Sequence, residues 1–159
     1  MKSGVPEPRR YKAVLAEDLL HLSKVRLPAG AKDFDNLYFS VALVYGDYHA
    51  ALCCKRAYAW DECSVVWNFI WAKFASCFHD AGYQFAEALA STWGCTVREV
   101  LRWADEVFLE RMLQDADSPS ARRWAYVYYF GVRIFGYRYH QLARIWRRIK
   151  GRPLGIIKQ

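Results

Sequence analysis

The chain has 159 residues, enough for one domain with a sizeable core, and its 54% hydrophobic content, with seven Trp, eleven Tyr and nine Phe, excludes disorder over most of its length. Its formal charge of +7 is unevenly held: residues 1–117 carry 13 Lys and Arg against 16 Asp and Glu, whereas residues 118–159 carry 10 Lys and Arg and no acidic residue. That asymmetry points to a polyanionic partner, nucleic acid or anionic lipid, or to a basic helix docked on the chain's own acidic part.

The segment MKSGVPEPRRYK has charge but no apolar run behind it, so no secretory signal is read. Residues 1–10 are expected to be a flexible arm, with Arg9 and Arg10 solvated or reaching a groove. The longest apolar runs fall short of the roughly 20 residues that span a bilayer. A cytoplasmic protein without a transmembrane segment is the expectation. Cys53, Cys54, Cys63, Cys77 and Cys95 lack the spacing of a disulfide framework and read as small buried side chains.

Helix-period spacing predicts an all-α fold, a single helical domain of about six helices over residues 11–151 followed by a tail at 152–159. Val14, Leu15, Leu19, Leu20 and Leu22 give the stripe of a first helix over about 11–23, stopped by the LPAG loop at 27–30. Asp33 or Asp35 then caps a second helix carrying Leu37, Phe39, Val41, Leu43, Val44 and Leu52. Asp61 starts a third, with Val65, Val66, Phe69, Ile70 and Phe74, and HDAG at 79–82 is read as its stop. A short helix follows at about 83–92, then a turn at Trp93–Cys95.

The next helix, from Val97 to about Leu113, opens on a T-x-x-E capping box at Thr96 and Glu99. Ser118 as cap and Pro119 at the first helical position open a long helix to about Lys150, closed by Gly151 and Pro153.

Residues 86–105, AEALASTWGCTVREVLRWAD, form a two-helix unit with a tight corner: Ala90 permits close packing, Gly94 supplies the turn, and Leu89, Trp93, Cys95, Val100 and Trp103 face inward. This stretch resembles the helix-turn-helix of bacterial DNA-binding proteins, although an ordinary helical hairpin has the same corner. The resemblance covers about 20 residues. It implies that Val97–Asp105 is a recognition helix whose Val97, Arg98, Glu99, Leu101 and Arg102 meet base edges in the major groove, arginine being suited to guanine. Thr92 and Thr96 would donate to phosphates. Glu99, Asp105, Glu106 and Glu110 on the same helix repel a phosphate backbone, so the contacting face must be narrow.

As one helix, residues 119–150 would be roughly 48 Å long and two-faced. Arg122, Arg133 and Arg144 recur every 11 residues, joined by Arg123, Arg147 and Arg148, with Tyr126, Tyr129, Tyr137 and His140 among them. These arginines are the expected phosphate ligands, and the rings suit stacking on bases or a sugar-phosphate edge. The opposite side, with Trp124, Tyr128, Phe135, Tyr139, Leu142, Trp146 and Ile149, is read as the core face. Gly131 is placed on that face for close helix approach and Gly136 near its border as a possible kink. A basic amphipathic helix rich in Trp and Tyr is also the pattern of a membrane-surface helix, here ranked below nucleic acid.

His49 with Cys53, and Cys77 with His79, have no Cys-x-x-Cys pair beside them, so no metal site and no cofactor are expected. His140 and Arg144 lack a nucleophile pattern or carboxylate cluster, so no enzyme is read. The sequence therefore predicts a small non-enzymatic DNA-binding protein, a transcriptional regulator or accessory factor of a phage or mobile element. The alternatives are a helical interaction module or inhibitor blocking a host nucleic-acid-handling complex, and an RNA-binding protein. A homodimer is compatible, since helix-turn-helix readers gain specificity on two half-sites, but no leucine heptad marks its seam.

Overall fold

The computed structural model describes residues 13–60 and 70–149. Within them the all-α expectation fails: the first half is antiparallel β-sheet, and only the second is helical. Strands β1 (Ala13–Val14), β2 (Leu19–Ser23), β3 (Phe34–Asp35), β4 (Phe39–Leu43), β5 (Ala50–Cys54) and β6 (Ala59–Trp60) replace the two helices expected over 11–23 and 33–52. Strands β2, β5, β4 and β3 lie side by side in that order as one four-stranded sheet, while β1 pairs with β6. In β2 against β5, Leu19 faces Cys54 and Ser23 faces Ala50; in β4 against β5, Phe39 faces Cys54 and Leu43 faces Ala50.

The side-chain alternation explains both why these segments are strands and why they read as helices. Phe39 and Val41 of β4, and Ala50, Leu52 and Cys54 of β5, point into the core. Of their neighbours on the open face, Ala42, Ala51 and Cys53 are also apolar and only Ser40 is polar, so the polar–apolar alternation is too weak to mark the period of two. Strand β2 is inverted: Leu20 and Leu22 are exposed, while His21 and Ser23 are buried. The aspartates read as helix caps serve the sheet instead. Asp33 Oδ1 accepts from the Leu43 amide at 2.7 Å, and Asp35 pairs with Lys55 at 2.6 Å. Between β3 and β4, Asn36 Oδ1 accepts from the amides of Tyr38 and Phe39, a side-chain mimic of a backbone turn.

Helix α1 (Ile70–Gln84) carries the expected third helix, though Asp61 and its first residues lie outside the described range. It runs through HDAG rather than stopping there. A Cβ added at Gly82 would come within 2.6 Å of Ala104 Cβ, so this glycine permits close helix contact rather than a turn. Helix α2 (Ala86–Trp93) ends at Gly94 in the left-handed conformation, φ 67°, where a side chain would be strained. Helix α3 (Val97–Asp115) starts on the full capping box of Thr96 and Glu99, and α4 (Pro119–Ile149) starts with the Ser118 hydroxyl accepting from the Ala121 amide. The arm at 1–10, the end of the last helix at Gly151 and the tail at 152–159 lie outside the described residues.

Two apolar clusters hold these parts together. The larger packs the inner face of the sheet, through Phe39, Val41 and Leu52, on Phe78, Leu89, Val100 and Trp103 of α1, α2 and α3. The smaller lies among Trp71, Ala75, Phe108, Met112, Ala125 and Tyr128, where α1, α3 and α4 meet. Trp60 Nε1 donates to Ser76 Oγ, and Trp93 Nε1 donates to the Lys32 carbonyl, so polar ring atoms tie helices to the sheet half.

Candidate interaction surface

Helix α3 is the axis of the helical half, and two of its carboxylates, half-buried Glu110 and buried Asp105, show how it is fixed. Glu110 faces the inverted strand: its carboxylate lies 2.9 Å from His21 Nε2, and accepts from Ser23 Oγ and the Lys24 amide, each at 2.7 Å. Burial pushes its carboxyl up, but these hydrogen bonds outweigh that and hold it below the usual glutamate value. The polar inward residues of β2 thus share a partner on α3.

Asp105, 2% exposed, faces the other way. Tyr83 Oη donates to its Oδ1 at 2.8 Å, His79 Nε2 lies 3.1 Å from the same oxygen, and Arg133 Nη1 of α4 donates to Oδ2 at 3.3 Å. Burial disfavours the His79 cation, yet its contacts with Asp105 and Asp80 prevail and raise its pKa to about 9. Burial, and then the Asp105 charge, push the Tyr83 hydroxyl far above its usual value. A Cβ on Gly136 would run into the Tyr83 hydroxyl, so Gly136 gives α4 a close approach, not a kink. At Gly131 a Cβ would meet nothing within 4 Å, the reverse of the expected assignment.

Helices α3 and α4 run antiparallel: the Leu113 carbonyl lies by Arg122, Asp105 by Arg133, and Arg98 sits over the Tyr137 ring at 5.4 Å. Tyr137 is therefore level with the start of α3, and the last dozen residues of α4 overhang it by roughly 18 Å. The inward line of α4 is Ala121, Ala125, Tyr128 and Val132, continued by Arg133, Gly136 and, against Tyr83, His140. The expected core face is accordingly rotated. Phe135 is 68% exposed, Tyr139 74%, and Trp124 and Leu142 are exposed as well.

The residues expected to read bases fall into three settings. Leu101 is 2% exposed and belongs to the core, and Val97 packs beside it. Glu99 is exposed, but its carboxylate is engaged by the Thr96 amide and hydroxyl, which hold its pKa low. Arg98 and Arg102 are exposed on the first turns of α3, the former over Tyr137, the latter paired with Glu106 at 3.1 Å. Thr92 is exposed and its hydroxyl donates to the Ala88 carbonyl.

Of the expected phosphate ligands, Arg122 and Arg123 are exposed, and Arg133 is turned in to Asp105. Arg144, Arg147 and Arg148 lie on α4, with side chains outside the described residues. Tyr126 is exposed and Tyr129 half-buried; Tyr137 is exposed and accepts from Gln141.

Three features escaped the sequence reading. Asp105 occupies an inward position of the stripe Leu101, Asp105, Phe108, Met112, and an acid at that spacing signals an internal ionic contact. Arg138 is exposed on the outer side of α4. Above all, Val127, Phe130, Ile134, Phe135, Leu142 and Ile145 are all exposed, giving α4 an outer apolar stripe. Small inward residues, Ala121, Ala125 and Gly136, were the available sign of which side faces the body.

Among the described residues no group of three or more His, Cys, Asp or Glu side chains is placed to hold a metal ion, and no helix is long and apolar enough to cross a membrane. The described cysteines, Cys53, Cys54, Cys77 and Cys95, are free. No family model matches the chain, and neither a curated protein nor a solved structure shows significant similarity to it.

Proposed function

We propose that the protein is a stoichiometric binding module whose working surface is the outer side of α4, turned toward a polyanionic partner. The observation that carries this reading is the pairing of exposed Arg123 and Arg138 with a helix that has no acidic residue along its length. The His79–Tyr83–Asp105–Arg133 cluster is read as a structural fastening for that helix, because Asp105 is sealed from solvent.

A second reading, DNA ahead of RNA as the polyanion, is favoured by Arg98 and Arg102 standing exposed on the first turns of α3, where the helix dipole also attracts phosphate. With Leu101 in the core and Glu99 in the cap, base readout there rests on these two arginines alone. On that reading the protein acts as a transcriptional regulator or as an accessory factor of a phage or mobile element, and the alternative is an inhibitor that occupies a host nucleic-acid-handling complex.

Retention on immobilised heparin, a polyanion with neither bases nor acyl chains, tests the main reading. The protein is expected to elute at raised salt, and the Arg123→Ala, Arg138→Ala double variant at clearly lower salt. Flow-through at low ionic strength would defeat it. A shift caused by Arg98→Ala and Arg102→Ala, but not by the α4 pair, would move the contact to α3 and favour the second reading.

A further inference from the structure

We infer that the partner surface for α4 is an anionic lipid bilayer, on which the helix lies flat with its outer apolar stripe entering the acyl boundary. The inference rests on the polyanion-binding reading and names the partner of that same surface. At about 100° per residue, Val127, Ile134 and Ile145 fall on one line, with Phe130 and Leu142 on either side of it. Ile134 is 63% exposed and its neighbours on that line are comparably open. A phosphate backbone gives aliphatic side chains nothing to bury against, and bases stack on rings rather than on isoleucine or valine. An acyl boundary takes all of them.

The margins of the stripe point the same way. Exposed Tyr126 and Tyr137 border it on one side, and exposed Leu142 and Phe135 close it on the other, an arc of roughly 180°. Amphipathic rings at the edge of an apolar centre suit the headgroup level. Arg123 and Arg138 lie within the arc, and their long side chains can lay apolar stems on the stripe while the guanidinium groups reach lipid phosphates.

Charge also decides against a second copy of the chain as the cover. Two α4 helices laid face to face would bring arginines together with no acidic residue on either helix to offset them. The opposite side of α4 is fastened to the body by Asp105 and by the cluster around Ala125 and Tyr128, so the stripe is presented outward along the helix. No described helix is long and apolar enough to cross a membrane, so the mode is attachment in the interface plane.

The test is co-sedimentation of the full chain with phosphatidylcholine vesicles, with and without one-third phosphatidylglycerol, across a salt series. The expected result is binding to the anionic vesicles only, weakened by salt. Ile134→Ser and Phe135→Ser should each weaken it about tenfold, with melting temperature and heparin elution unchanged because neither residue is buried or charged. Heparin binding without vesicle binding overturns the lipid inference and leaves the polyanion reading standing; duplex DNA binding in that case identifies nucleic acid as the partner. Vesicle binding that is indifferent to Ile134→Ser and Phe135→Ser overturns the insertion. A dimer that these substitutions dissociate makes a second copy the occupant and overturns the inference as well. Failure on both heparin and vesicles defeats the two readings together.

Discussion

Helices α3 and α4 lie side by side, yet they present opposite profiles. Packing on α3 comes from three sides: the sheet meets it through Glu110, α1 and α4 meet it through Asp105, and α2 turns onto it at Gly94. Its exposed residues near the start, Arg98, Glu99 and Arg102, already have intramolecular contacts with Tyr137, Thr96 and Glu106. Helix α4 is held on one side, from Ala121 to His140 with Tyr137 under Arg98 at its margin, and the opposite side offers large apolar side chains and arginines to the outside. A helix engaged on most sides is scaffold. One held by a single side, with its largest apolar groups left out, is where a partner is missing, since such contiguous apolar surface marks an interaction site.

The comparison breaks most readily at Asp105, where the two helices are joined. Asp105→Ala removes the buried carboxylate shared by the His79 cation and Arg133, leaving Arg133 without a counter-charge and His79 with Asp80 alone, and urea unfolding is expected to show a loss of about 3 kcal/mol or more. Met112→Ala, in the cluster beneath α4, is expected to cost about 2 to 5 kcal/mol, whereas Leu142→Ser on the outer side should stay within about 0.5 kcal/mol. Equal losses at these two positions would mean that the outer stripe is already covered within the molecule.

The next effect is pH-dependent. His79 has a folded pKa raised to about 9 from an ordinary 6.5, so its contribution is complete below the lower value and lost as pH rises through the upper one. Thermal melts between these limits should show stability falling with pH, and His79→Phe should flatten that slope. Glu110 behaves oppositely: with its pKa held low, its stabilisation is present above the ordinary carboxylate range and lost on acidification through the folded value. Glu110→Gln should reduce the acid sensitivity of unfolding. Smallest of all, Arg102→Ala removes an exposed pair with Glu106 and is expected to change stability by at most about 0.5 kcal/mol, read by the same denaturant titration.

Legibility in the sequence followed the same division. Local chemistry was readable: the capping box at Thr96 and Glu99, the corner at Gly94, and Ser118 with Pro119 all lie where their residue types predict. Pairing partners distant in sequence were not. The leucines of β2 sit on its open face because Glu110, 87 residues from Ser23, supplies an inward partner for the polar ones. With apolar residues on both sides of β4 and β5, and Ser40 alone as a polar outward residue, the period of two was scarcely marked. On α4 both sides are ring-rich, and spacing alone puts the arginines on one outer face. Arg133 belongs inside, because Asp105 is there to receive it.

The central claim, that α4 rather than α3 lies on an anionic bilayer, is tested most directly by amide hydrogen exchange of the full chain with and without anionic vesicles. The account predicts slowed exchange across residues 127–142 and unchanged exchange across residues 97–115. Protection confined to the first turns of α3, or none on α4, would contradict it.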